Sequence, residues 1–156
     1  MNKDIVFTSV RLMPGTTDPT ATGTIATAQG KLYDKNGGQV GINEFTRTVL
    51  GPDPDLANNN GPVLRLLNHV IYEFGKAEDG YWDDTIAVTL VSKRGLTPGA
   101  EFTDYDAVIT GGTGRFLGAT GKMSISDAKF QNGNLVVTQV VVRFDLFVPR
   151  LPAIRP

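Results

Sequence analysis

Tyr72 and Asp84 sit in runs whose apolar residues recur at every second position. From Val63 to Phe74, Leu64, Leu66, Asn68, Val70, Tyr72 and Phe74 share one face, while Arg65, His69 and Glu73 share the other. In the run beginning at Trp82, the set Trp82, Asp84, Ile86, Val88 and Leu90 outweighs Asp83, Thr85, Ala87 and Thr89. Side chains alternate along a strand, so the apolar set turns inward and carries Tyr72 and Asp84 with it. An enclosed Tyr72 can hydrogen-bond a substrate carbonyl as charge develops on it. Where the chemistry needs a base, Asp84 or Tyr72 supplies it. A third polar candidate, Arg47, lies with Asn43, Phe45 and Val49 on one face of a strand whose other face is Ile42, Glu44, Thr46 and Thr48.

Other chemistries are excluded by composition. The 156 residues contain no cysteine and one histidine, His69. That removes a thiolate nucleophile, a disulfide framework and a Cys- or His-rich metal site, and the expectation is chemistry without metal or cofactor. Fifteen Lys and Arg against sixteen Asp and Glu give a net charge of -1, with the basic residues scattered singly among acidic ones. Nucleic-acid binding needs a concentrated basic field to displace counterions, and this chain has none. No apolar run approaches the length of a membrane span, and Met1-Asn2-Lys3-Asp4 leads into no run of signal-peptide length, so the expected compartment is the cytoplasm.

The elements that position these side chains read as strands. Gly 18 and Pro 9 punctuate short apolar bursts. The predicted strands are Ile5 to Leu12, Thr22 to Tyr33, Gln39 to Leu50, Val63 to Phe74, Trp82 to Val91, Asp104 to Thr110, Gly118 to Ala128 and Leu135 to Val148. Asp34 to Gly38 and Gln131 to Asn134 both place Asn-Gly where a tight hairpin needs positive φ. Eight consecutive strands joined mostly by short turns predict an all-β, eight-stranded antiparallel β-barrel, because closure leaves no unpaired edge. A two-sheet sandwich satisfies the same pattern. The whole chain, 1–156, reads as one domain. Segments Met13 to Ala21 and Gly51 to Pro62 are too long for tight turns, and a Pro-rich tail, 149–156, cannot pair as a central strand.

The most distinctive segment is Asp104 to Gly121, a strand, a glycine-dense turn and a second strand that opens on small residues. A phosphate loop is excluded, since Gly111-Gly112-Thr113-Gly114 lacks Gly-Lys-Ser/Thr and leads into a strand pattern, not a helix. The glycines instead permit a close turn that lets Phe116 plug the end of a barrel. Ala107-Val108-Ile109-Thr110-Gly111-Gly112-Thr113-Gly114-Arg115-Phe116, with Gly118-Ala119-Thr120-Gly121, resembles the turn of allene oxide cyclases, and its Gly-Gly-Thr-Gly-Arg-Phe core is similar to dirigent proteins. Gly30-Lys31-Leu32-Tyr33-Asp34 and Gln39-Val40-Gly41-Ile42 resemble the cyclases' Lys-Leu-Tyr hairpin and Val-Gly-Ile strand, in the family's order, so that the resemblance spans roughly Thr24 to Ala128.

The resemblance implies a barrel of this superfamily, with small bacterial natural-product cyclases of the spirotetronate-forming, Diels-Alder type closest in length and hairpin pattern. It also places Arg47 where the plant cyclases carry a cavity cysteine, which turns Arg47 inward, as a substrate contact, at a wet rim or paired with Asp84. The plant enzymes' first-strand glutamate has no counterpart from Ile5 to Leu12, and Gly30 stands in place of their asparagine, so allene oxide cyclisation itself does not carry over. Ala26, Ala28 and Gly30 would widen the chamber. The expected function is therefore an intramolecular cyclase or isomerase acting on a hydrophobic, polyketide-like small molecule. Arg47, Tyr72 and Asp84 are its candidate catalytic groups, and Phe45, Asn68, Phe74, Trp82, Met123 and Phe144 its candidate binding surface. A non-catalytic carrier or dirigent-like barrel needs the same cavity, whereas a structural subunit would have a filled interior. By resemblance alone, the chain is expected to form a homodimer or homotrimer.

Overall fold

A computed structural model describes residues 2–14, 21–53, 63–76, 82–95, 105–131 and 135–149. The fold is all-β. Strands β1 (Asn2–Pro14), β2 (Ile25–Tyr33), β3 (Gln39–Pro52), β4 (Val63–Lys76), β5 (Trp82–Gly95), β6 (Tyr105–Gly112), β7 (Thr120–Gln131) and β8 (Leu135–Phe147) each pair antiparallel with the next. The sheet curls until β8 meets β1 in a register running from Asn2 opposite Phe147 to Pro14 opposite Leu135. The β1–β2 register is shorter, Thr8 to Leu12 against Tyr33 to Gln29, so Asn2 to Phe7 is paired with β8 alone among the described residues.

Side-chain alternation holds where it was expected. On β4, Leu64, Leu66, Asn68, Val70, Tyr72 and Phe74 are buried; on β5, Asp84, Ile86, Val88 and Leu90; on β3, Asn43, Phe45, Arg47 and Val49. Their outward neighbours Arg65, His69, Glu44 and Asp83 are exposed. Leu32, Tyr72, Ile86, Met123, Phe144 and Leu146 are almost wholly enclosed and pack into one cluster across the middle of the barrel. Ala28 and Gly30 do face inward, with Phe45 and Asn43 directly opposite them on β3.

Several element bounds differ from the sequence reading. Strand β2 starts at Ile25, not Thr22, because Ala21 to Thr24 forms a turn that closes through Thr24 N–H to Ala21 O at 3.1 Å and Gly23 N–H to Val49 O at 2.8 Å. Strands β3 and β5 run past Leu50 and Val91 to Pro52 and Gly95, since their polar ends still find partners on β4: Gly51 opposite Arg65, and Lys93 opposite the same residue. At Asp34 to Gly38 the hairpin is closed largely by Asp34, whose Oδ1 accepts from Asn36 N–H at 2.8 Å and Gly38 N–H at 2.9 Å, with the positive φ of 81° on Gly37. The expected Asn132-Gly133 turn and the tail from 150 onward lie outside the described residues.

The glycine-dense segment folds as a strand end, a single 3₁₀ turn at Gly114–Phe116, and the start of β7. Two of its glycines are required by close approach. A Cβ on Gly112 would stand 2.5 Å from Thr85 O and 2.6 Å from Phe116 O, both backbone atoms that cannot swing aside. Gly114 has φ 55°, and a Cβ there would overlap the Asp84 carboxylate. Gly112→Ala is accordingly expected to cost about 3 kcal/mol, the upper range for overpacking. Thermal melting should show this as a midpoint lowered by roughly 8 °C.

Candidate functional site

The turn after β6 exists to hold Arg115 and Phe116 over one end of the barrel. Its anchor is Asp84, near the start of β5. Asp84 Oδ1 accepts the backbone N–H of Arg115 at 2.7 Å, and Oδ2 accepts its Nε–H at 2.5 Å. The Asp84 side chain is largely enclosed while that of Arg115 is 65% exposed, so the pair fixes a guanidinium at the barrel mouth with its remaining donors available. Phe116 enters beneath it and packs edge-on against Phe74, with ring centroids 5.7 Å apart. The Arg115 guanidinium carbon lies 5.9 Å from the Phe116 ring centroid, within the range of a cation–π contact.

A cavity of about 290 Å³ opens at this end, lined by Val6, Asp34, Val40, Phe74, Gly75, Arg115 and Phe116. Val6, from the half of β1 that β2 does not cover, forms one lip, and Arg115 forms the other. The walls are apolar and the charge is confined to Arg115 and Asp34. Asp34 is committed to its hairpin through Oδ1, and both oxygens of Asp84 are held by Arg115. This suits a small apolar ligand with one carbonyl or carboxylate, at the lower end of the size range of small-molecule sites.

The fold has solved counterparts. A pyocyanin demethylase superposes with a TM-score of 0.58 at 13% identity, covering 93% of this chain and 100% of that one. Two pterocarpan synthase dirigent proteins superpose with TM-scores of 0.60 and 0.57 at 15% and 13% identity, covering 96% and 97% of this chain and 97% and 88% of theirs. The chain shares the fold of these solved structures. No protein-family model matches the sequence, and no curated protein does. At these identities the likeness establishes the fold and leaves the chemistry to the chain's own residues.

Arg47, Tyr72 and Asp84 do not converge in that barrel. Arg47 lies opposite Asn68, and Asp84 opposite Phe74; the two β4 partners are six residues apart, about 20 Å along the strand. Pairing of Arg47 with Asp84 is therefore ruled out. Arg47 Nε donates to Asn68 Oδ1 at 2.9 Å, and Asn68 Nδ2 donates to Ser92 Oγ at 2.9 Å and Leu66 O at 3.1 Å. All three side chains of this chain of bonds are buried. It spends most of the Asn68 amide's bonding capacity on the fold, and Phe45 supports the Arg47 guanidinium at 5.4 Å. Tyr72 lies between the two ends, edge-on to Phe144 at 5.1 Å, in the packed middle with Met123. Of the expected binding residues only Phe74 lines the described cavity; the Trp82 side chain lies outside the described residues. Arg115, Val40 and Asp34 were not expected there. The glycines bracketing Arg115-Phe116 were the available signal, and they were read for Phe116 alone.

Proposed function

We propose that this chain is a cofactor-independent cyclase: a closed, eight-stranded barrel whose Phe74–Phe116 end folds a hydrophobic, polyketide-like chain and brings about intramolecular ring closure. The observation that carries the reading is the pairing of apolar walls with one exposed guanidinium, beside two carboxylates that are both engaged in holding turns. In a Diels-Alder closure three π bonds become two σ bonds and one π bond, no atom leaves and no proton moves, so a free base is unnecessary. Holding the reacting ends together lowers the barrier entropically, each ~1.4 kcal/mol being tenfold in rate. Arg115, hydrogen-bonded to a carbonyl on the dienophile, would draw electron density from it and stabilise the charge that develops. The cavity is too small to enclose a whole polyketide, so the reacting segment sits within while the remainder extends through the lip at Val6.

A dirigent-like binding barrel that shapes a ligand without accelerating its reaction is the second reading. The densely packed middle of the barrel favours it, since it confines the ligand to the mouth. One assay separates the two. A linear polyene with a tethered enone, incubated with purified protein, is expected to give an isomer of unchanged mass, faster than in buffer and as one dominant diastereomer. Faster closure supports the cyclase; a changed diastereomer ratio at an unchanged rate supports the binding barrel. Buffer-like rate and ratio would remove both.

A further inference from the structure

Asp34 and Arg115 line the same cavity from two separate turns, the β2–β3 hairpin and the turn after β6. Each keeps part of its bonding capacity after bracing its own turn. Asp34 uses Oδ1 for the backbone N–H groups of Asn36 and Gly38, and no described residue donates to its Oδ2. Arg115 uses its backbone N–H and its Nε–H on Asp84, which leaves the four N–H bonds of its two Nη nitrogens. Its ion pair is with Asp84, not with Asp34.

Gly75, also in the lining, has φ 70°, and a Cβ there would lie 3.0 Å from Arg115 Nη2 and 2.6 Å from Asp84 Oδ2. The wall therefore carries no side chain where the guanidinium fork meets it. Of the charged groups that line or brace the cavity, one is a guanidinium and two, Asp34 and Asp84, are carboxylates, so the mouth is net negative. An anionic ligand would gain Arg115 but also meet Asp34, whose charge is opposed by no ion pair among the described residues.

We propose that the cavity selects a neutral hydroxy-carbonyl compound. Its carbonyl oxygen accepts from the Arg115 Nη groups, and a hydroxyl one or two carbons away donates to Asp34 Oδ2. This rests on the Phe74–Phe116 cavity being the ligand site, and it makes Asp34 the residue that sets specificity there. The aliphatic remainder lies on Val6, Val40, Phe74 and Phe116, whose side chains offer no polar atom. Hydrogen bonds to a charged acceptor are among the strong ones, so a ligand without the hydroxyl, which leaves Asp34 facing carbon, is held more weakly. A carboxylic acid, ionised at neutral pH, is repelled by the same oxygen. The site thus separates a hydroxyl-bearing segment from a bare ketone or a free acid, which the apolar walls and Arg115 could not do alone.

The test is an NMR titration of isotope-labelled protein read at the amides of Gly75, Arg115 and Phe116. The probes are butyroin, its β-hydroxy isomer, the parent ketone without a hydroxyl, and octanoate, all of the same carbon number. For wild type, one of the two hydroxy ketones is expected to bind about tenfold more tightly than the parent ketone, and octanoate no more tightly than that ketone. Asp34→Asn keeps Oδ1 for the hairpin but replaces Oδ2 by an N–H donor. In that variant the hydroxyl preference should fall to about twofold, and octanoate should bind about tenfold more tightly than it does to wild type. A melting curve checks that the variant folds, and the wild-type comparison decides by itself if it does not. Ketones that bind alike with or without the hydroxyl, a wild-type preference for octanoate, or a folded Asp34→Asn with unchanged preferences would overturn the selectivity and leave the cavity as the ligand site. No shift at those amides with any probe would overturn both.

Discussion

Asn68→Leu is expected to melt roughly 10 °C below wild type, from a loss of about 3–5 kcal/mol. The leucine fits the volume, so the effect is electrostatic. It removes the acceptor of Arg47 Nε–H and the donor to Ser92 Oγ in a site from which water is excluded. A buried charged group deprived of a designed acceptor is costly, whereas replacing a whole buried polar cluster by apolar groups of similar volume is often neutral. The triple variant Arg47→Met, Asn68→Leu, Ser92→Ala should therefore recover most of the loss in the same melting experiment. Failure to recover would mean that Arg47 serves contacts beyond this cluster that the fold depends on.

Phe116→Ala should lower kcat/KM for ring closure by about 100-fold, the scale expected when a reacting segment is displaced by an ångström or so. Phe116 is one wall of the cavity, and Phe74 is the other; removing the ring leaves the substrate chain free to sample unproductive shapes. The same substitution costs about 3–5 kcal/mol of stability, so it is measured well below its melting point. Phe116→Leu keeps most of the volume and the fold, and is expected to lose about tenfold in rate while eroding diastereoselectivity. Steady-state rates with chiral separation of the products read both effects.

The inward faces of β3, β4 and β5 were legible because one face of each is buried, and a two-residue period leaves a single way to bury it. What each inward polar side chain would touch was not legible. Asn68 is opposite Arg47 only in the observed register, and a slip of two residues would have kept every face while changing the partner. Asp84 was recognised as enclosed, but its partner comes from a turn thirty-one residues on, where no periodicity states which way Arg115 points. Strand ends escaped for a related reason. Ser92 and Lys93 look like loop in composition, yet β4 extends far enough to pair with them.

Where and how the substrate is held can be read from a crystal structure with an unreactive linear analogue, its diene saturated. The predicted result is a chain folded between Phe74 and Phe116, its carbonyl within hydrogen-bonding distance of Arg115 and the carbons that would join about 3–3.5 Å apart. An analogue bound at the Arg47 end, or lying extended along the outer wall, would contradict it.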